Sequence, residues 1–215
     1  MNHRIFNSLV MFLAILASAP NGFGKDGPPK EPANQPIEKA AFQRDMRKLW
    51  EDHITWTRLY IVSALADLPD KDVTANRLLQ NQTDIGNAIK SFYGDGAGDK
   101  LTALLKDHIL IAADLIAGVK GGDTARSNKA SARWDANADE IATFLSGANP
   151  KHWPLTEMKS MMHEHLAATT AEVVARLTKD WEGDVRAYDK VHTQILEMAD
   201  MLSSGIIGQF RARFK

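Results

Sequence analysis

The sequence contains, at residues 49–58, the stretch LWEDHITWTR, and the acid–histidine–aliphatic triplet inside it recurs twice further along the chain. The three copies are Asp52-His53-Ile54, Asp107-His108-Ile109 and Glu164-His165-Leu166, so the histidines are 55 and 57 residues apart. A nearly constant spacing is typical of repeated supersecondary units. We therefore predict that one structural unit occurs three times.

A second block follows each triplet. An amide residue comes 28 or 29 positions after the histidine, and an acidic residue comes three positions after the amide: Asn81 with Asp84, Asn137 with Glu140, and Gln194 with Glu197. A basic residue stands four positions before each amide, and a small residue stands four positions after each histidine: Arg77, Arg133 and Lys190, and Thr57, Ala112 and Thr169. These offsets favour three copies of one helical hairpin.

Hydrophobic spacing predicts that these units are helical. Apolar residues recur at the helical period, and Gly, Pro and Asp clusters interrupt them. The predicted helices lie near 36–67, 71–92, 98–119, 124–146, 155–179 and 184–210, and no segment shows the alternation of a strand. The fold class is therefore all-α, an antiparallel bundle of about six helices built from three repeated hairpins near 36–94, 98–147 and 155–210.

The first 35 residues have a different texture. Arg4 precedes an almost wholly apolar run that ends at Ala17-Ser18-Ala19, which predicts a signal peptide at residues 1–19. Residues 20–35 are rich in Pro and Gly and are expected to form a flexible linker, followed by one helical-bundle domain at 36–215. The signal peptide predicts an exported protein, periplasmic or secreted, and export without cysteine is more typical of a bacterial periplasm than of a disulfide-rich eukaryotic secretion.

The composition excludes several classes of function. Twenty-six basic residues balance 27 acidic residues, so no overall charge favours nucleic acid. The absence of cysteine excludes disulfides, thiolate metal sites and cysteine nucleophiles. After residue 19 no apolar stretch is long enough for an integral membrane span.

The repeated polar residues lie on the apolar stripes of their helices. His53, for example, shares a face with Leu49, Trp56 and Tyr60. The predicted result is a layer of three histidines, three amides and three acids partly inside the bundle. A buried polar group without a partner costs about 2–7 kcal/mol. The layer must therefore satisfy itself, bind something or face water.

One interpretation is a binding module. In it a divalent transition metal with nitrogen and oxygen ligands is held by His53, His108, His165, Asp84, Glu140 and Glu197. A small ligand instead would contact Asn81, Asn137, Gln194, Trp56 and Trp134.

The alternative is a structural or protein-interaction module whose polar layer is only a packing network. Each histidine would then bond to an acid, and Arg77, Arg133 and Lys190 would neutralise the acids. An enzyme that uses a histidine–acid pair as general base is less favoured, and no catalytic residue is assigned, because no nucleophile or cofactor motif accompanies such a pair.

The stretch at residues 49–58, together with the later Asp107-His108 and Glu164-His165 blocks, resembles an uncharacterised family of bacterial exported all-helical proteins, some of which carry a glycosyltransferase label. The similarity covers about residues 40–210. It implies a shared fold and supplies no catalytic residue. The chain has no pattern for nucleotide-sugar binding that would match the label.

Overall fold

A computed structural model describes residues 36–215, and the predicted signal peptide and linker lie outside the described residues. The elements are α1 (Lys39–Leu65), α2 (Lys71–Tyr93), α3 (Asp95–Gly121), α4 (Thr124–Ala148), α5 (Leu155–Leu177), α6 (Trp181–Gln209) and a short 3₁₀ turn at Arg211–Arg213. The predicted all-α bundle of six helices is confirmed. Within the described part of the chain, the one β-type pairing is an isolated bridge between Ile37 and Phe214.

The six helices form a closed ring. Each helix packs against the next one along the chain, α6 packs back against α1, and α1 also contacts α3 and α5. Because the connections are short, successive helices run antiparallel. The odd-numbered helices, which carry the repeated histidines, therefore share one direction. No helix within residues 36–215 has the length and hydrophobicity needed to cross a bilayer.

Two helices begin three residues earlier than their sequence pattern predicts. α3 begins at Asp95, directly after Gly94, and its glycines lie inside the helix. They are tolerated because α2 and α3 cross closely: a Cβ on Gly86 would lie 2.5 Å from the carbonyl oxygen of Gly98. α6 begins at Trp181 because the Asp180 carboxylate caps it, accepting a 2.9 Å hydrogen bond from the Gly183 N–H.

The apolar interior consists of two clusters. The larger one runs through most of the ring and includes Met46, Trp50 and Ile195. The smaller one contains Ile61, Ala64, Ile116 and Val173, which lie in the C-terminal halves of α1, α3 and α5. Ile61, Ile116 and Val173 of the smaller cluster each come eight positions after the histidine of their helix, so this cluster lies about two turns beyond the histidines.

The two ends of the described chain are tied together. The Ile37 N–H donates to the carbonyl of Arg213 at 2.8 Å, and the Lys215 N–H donates to the carbonyl of Ile37 at 3.0 Å. Phe214 is buried and stacks on Phe92 of α2. The basic C-terminal residues are thus part of the folded unit.

Candidate functional site

The three repeated histidines meet in the centre of the ring. His53, His108 and His165 lie on α1, α3 and α5 and are only 3%, 3% and 5% exposed. The ring centroid of His165 lies 5.8 Å from that of His53 and 6.3 Å from that of His108. Three copies of one hairpin therefore place three imidazoles side by side at one level of the bundle.

Hairpins two and three hold their histidines in the same way. Asn137 Oδ1 lies 2.8 Å from His108 Nδ1, and the Asn137 amide nitrogen donates to the carbonyl of Leu104 at 3.1 Å. Gln194 Oε1 lies 3.2 Å from His165 Nδ1, and its nitrogen donates to the carbonyl of Met161 at 3.0 Å. Since each amide oxygen faces a ring, Nδ1 of both histidines carries the proton.

In the first hairpin, the contact to the backbone carbonyl and the contact to the imidazole are made by two different residues. Asn81 donates to the carbonyl of Leu49 at 3.0 Å, while Gln82 Nε2 lies 3.2 Å from His53 Nδ1. Gln82 Nε2 also donates to the carbonyl of Leu78 at 2.8 Å, so its nitrogen end faces the imidazole. The same nitrogen donates to Asn81 Oδ1 at 3.1 Å, so its two N–H bonds are shared among three acceptors. Since an amide nitrogen cannot accept, His53 Nδ1 is the acceptor in this contact and the proton of the neutral ring is on Nε2.

The second nitrogen of the imidazole, Nε2, has different neighbours in the three hairpins. Trp134 Nε1 donates to His108 Nε2 at 3.1 Å, so both nitrogens of His108 are engaged. The positions equivalent to Trp134 hold Leu78 and Val191, which have no side-chain donor. Within residues 36–215, the hydrogen bonds of the His53 and His165 rings involve Nδ1 alone.

A cavity of about 60 Å³ adjoins the three rings. The small residues one turn after each histidine, Thr57, Ala112 and Thr169, all line it, together with apolar side chains that include Ile61, Ile116 and Val173. No Asp, Glu, Lys or Arg lines it. The Thr169 hydroxyl is buried there without a hydrogen-bond partner. The repeated small residues are therefore what leaves the space open.

The histidines are neutral at physiological pH. Burial lowers the pKa of His108 to about 3 and that of His165 to about 4, and repulsion from a charged His165 adds to the effect on His108. Burial and the two neighbouring rings also hold the pKa of His53 well below its ordinary value. The site is thus polar but carries no charge.

The predicted acids lie elsewhere. Asp84 is half-exposed and accepts from Gln80 at 3.1 Å, while Glu140 and Glu197 are exposed, and none of the three lines the cavity. Among residues 36–215, no group of three His, Asp or Glu side chains is placed to hold a metal ion. The expectation that each histidine bonds to an acid is wrong for the described residues, because an amide takes that place in each hairpin: Gln82, Asn137 and Gln194 contact the rings.

The predicted basic column is also not continuous. Arg77 approaches Asp84 at 3.8 Å, but Arg133 pairs with Asp114 at 3.4 Å instead of with Glu140. Of the residues predicted to contact a small ligand, Trp134 lines the cavity. Asn137 and Gln194 are buried behind the rings that they orient, and Asn81 is buried against the backbone carbonyl of Leu49. Trp56 lies under the guanidinium of Arg77, 5.2 Å away.

A buried charged cluster lies beside the cavity, and the repeat gave no sign of it. Arg58 donates to Glu172 at 2.6 Å and to both oxygens of Asp184 at 2.8 and 2.9 Å, and Arg176 adds a 3.1 Å bond to Asp184. Burial raises the pKa of Glu172. In Asp184 the bonds from the two arginines outweigh burial and lower the pKa. This cluster ties α1 to α5 and α6.

No protein-family model, curated protein or solved structure matches this chain. The resemblance drawn from residues 49–58 stays a prediction.

Proposed function

We propose that this protein is an exported helical-bundle binding module that takes a small ligand into the cavity beside His53, His108 and His165. The observation that carries the proposal is the cavity, which three repeated small residues keep open beneath three imidazoles. Its wall includes a buried hydroxyl, that of Thr169, without a partner. Buried polar groups in folded proteins are almost always paired, so an unpaired one in a cavity wall favours a bound molecule.

A purely structural role for the layer accounts for less. It explains why each Nδ1 and each amide nitrogen is bonded, because those contacts fix the register of each hairpin. It does not explain the cavity, which costs on the order of 1.4 kcal/mol at about 24 cal/mol per Å³. A larger side chain at Ala112 would remove that cost.

The chemistry of the rings favours a small molecule over a metal ion. A histidine binds a metal ion through a ring nitrogen whose lone pair is free. His108 has none, because Trp134 and Asn137 occupy both nitrogens. The bond from Gln82 places the His53 proton on Nε2, so the lone pair of His165 Nε2 is the one that the described contacts leave available.

The test is a binding screen of small uncharged molecules, followed by nuclear magnetic resonance of the described domain. We expect millimolar binding that shifts the methyl signals of Ile109 and Val173 and is lost in Ala112→Leu, which fills the cavity. Ala117→Leu is the matched control, since Ala117 lies on the same helix but is exposed and does not line the cavity.

Two outcomes would overturn the proposal. One is binding that survives both Ala112→Leu and Thr169→Leu, a second variant that fills the cavity from another helix. The other is stoichiometric Zn²⁺ uptake in equilibrium dialysis that is lost in His53→Ala, His108→Ala and His165→Ala, which would support the metal alternative.

Export is tested separately. The full chain, produced in a Gram-negative bacterium, is expected to reach the periplasm and to begin at Pro20 after cleavage behind Ala17-Ser18-Ala19. Recovery from the cytoplasm with residues 1–19 retained would contradict export without touching the binding proposal.

A further inference from the structure

We infer that the ligand is an uncharged short-chain alcohol, or the alcohol end of a longer apolar molecule, whose hydroxyl sits between His53 and His165. This inference rests on the proposed function and names the class of ligand that the same cavity accepts.

The residues that line the cavity indicate that the ligand is uncharged. No Asp, Glu, Lys or Arg contributes to the wall, and the three histidines are neutral. An ion would therefore lose its hydration without gaining a counter-charge, at a cost far above that of a neutral polar group. Carboxylates and ammonium ions are excluded on this ground.

The Nε2 atoms of His53 and His165 indicate which polar group the ligand carries. The Nε2–H of His53 is a donor, because its Nδ1 accepts from Gln82. Nε2 of His165 is an acceptor, because its Nδ1 donates to Gln194. The ring centroids are 5.8 Å apart and both rings line the cavity. A hydroxyl is the smallest group that accepts one hydrogen bond and donates another, so it satisfies both edges at once.

The apolar lining and the volume of the cavity indicate the nature and the size of the rest of the ligand. Ile61, Ile116 and Val173 present apolar surface to the cavity. Its volume of about 60 Å³ is well below the roughly 150 Å³ of a cavity known to hold benzene. Scaled from the six carbons of benzene, this volume has room for about two or three non-hydrogen atoms, which are the hydroxyl and the first one or two carbons of the chain. A longer chain would have to continue past Val174, which lines the cavity and is half-exposed.

The experiment compares four probes of nearly equal size: 1-butanol, methyl propyl ether, butyrate and butylammonium. Binding at pH 7 is measured by titration of the cavity methyl signals. We expect 1-butanol to bind at least tenfold more tightly than the ether, which can accept a hydrogen bond but cannot donate one, and we expect no binding of either ion. In His165→Leu the advantage of the alcohol over the ether should disappear. It should persist in His163→Leu, a half-exposed neighbour on the same helix.

The outcomes separate this inference from the proposed function. If no uncharged probe binds, the binding proposal itself fails. If the ether binds as tightly as the alcohol, the cavity is a binding site but the hydroxyl assignment is wrong. If butyrate or butylammonium binds most tightly, the exclusion of charge is wrong. The comparison of probes on the unmodified protein stays decisive even if His165→Leu does not fold.

Discussion

The protein buries two polar regions a short distance apart, and they are built on opposite principles. The cluster around Arg58 is charged, and both of its buried carboxylates, Glu172 and Asp184, receive hydrogen bonds from arginine. The histidine layer is neutral and repeats in all three hairpins, yet it leaves ring edges and the Thr169 hydroxyl open towards a cavity.

The difference separates a charged network whose carboxylates are all bonded from the neutral layer to which we assign the proposed binding role. The positions equivalent to Arg58 in the other hairpins hold Ala113 and Thr170, so the charged cluster is not part of the repeat. It joins α6 and α5 to α1, where the ring closes. The histidine layer, in contrast, combines a repeated set of amides with ring nitrogens and a Thr169 hydroxyl that have no partner among residues 36–215, and the proposed binding role rests on this observation.

The largest expected effect comes from breaking the charged cluster. Arg58→Met leaves Glu172 and Asp184 buried without their main partner, and removing one member of a buried ion pair costs about 3–5 kcal/mol. The free energy of unfolding, measured by urea denaturation, should fall by that amount. Arg47→Met is the control, because Arg47 also joins α1 to α6 through Asp200 but is 48% exposed. It should cost about 0–1 kcal/mol. Equal losses in the two variants would show that the cluster is not a special support.

The next effect compares His108, whose two ring nitrogens are both hydrogen-bonded, with His165, whose Nε2 has no bond among the described residues. His108→Leu strands two buried groups, Asn137 Oδ1 and Trp134 Nε1, whereas His165→Leu strands only Gln194 Oε1. Each stranded group costs about 1–3 kcal/mol. We expect His108→Leu to be the more destabilising variant by about one such amount in urea denaturation. The reverse order would contradict the assignment of His108 as structural and His165 as open.

The histidine layer should also make the stability depend on pH. The pKa values of His108 and His165 are lowered to about 3 and about 4 in the folded state, against about 6.5 in the unfolded state. The unfolded chain therefore binds protons first as the pH falls. The stability contributed by the neutral rings is fully present above pH 6.5 and is lost progressively as the pH falls to the folded-state pKa values of about 4 for His165 and about 3 for His108.

The measurement for this effect is the unfolding free energy at pH 7, 6 and 5. The unmodified protein should lose stability across this range, and His165→Leu should show a shallower slope by up to one proton. A slope that His165→Leu leaves unchanged would mean that His165 does not titrate as a buried ring.

The smallest expected effect has the opposite sign. Thr169→Val replaces a buried hydroxyl that has no partner by a methyl group of the same shape. We expect a gain of about 1 kcal/mol in the absence of ligand, since burying an unpaired hydroxyl costs about 1–3 kcal/mol in proteins. Thr57→Val is the comparison, because the Thr57 hydroxyl donates to the carbonyl of His53 at 2.8 Å. A loss of stability in Thr169→Val would show that this hydroxyl is already satisfied.

The fold and the histidine positions could be predicted from the sequence because they repeat. Near-constant offsets fixed three hairpins, and the helical period placed the histidines on inward faces. Which neighbour each ring would use was harder to predict. The amide Asn137 and the acid Glu140 are three positions apart on a helix and share nearly the same side. Only packing shows that Asn137 points inward while Glu140 stays exposed.

The cavity illustrates a different limit. Small residues have two opposite uses in a bundle. At Gly86 and Gly98 they let α2 and α3 approach until their backbones touch. At Thr57, Ala112 and Thr169 they leave open space. The spacing of the second set was visible in the sequence, but the distance between helices decides which use applies. The charged cluster escaped prediction because Arg58 and Asp184 are 126 residues apart and do not repeat.

The bridge between Ile37 and Phe214 has a consequence for how the chain can be cut and rejoined. Ile37 and Phe214, near the two ends of the described chain, are paired, and the six helices close into a ring. The packing of the helices therefore does not depend on which helix comes first along the chain. A circularly permuted chain that joins residue 215 to residue 36 through a short linker and opens at the exposed Gly121-Gly122 turn would keep all three hairpin contacts. Such a chain would present the same three histidines in the order 165, 53, 108.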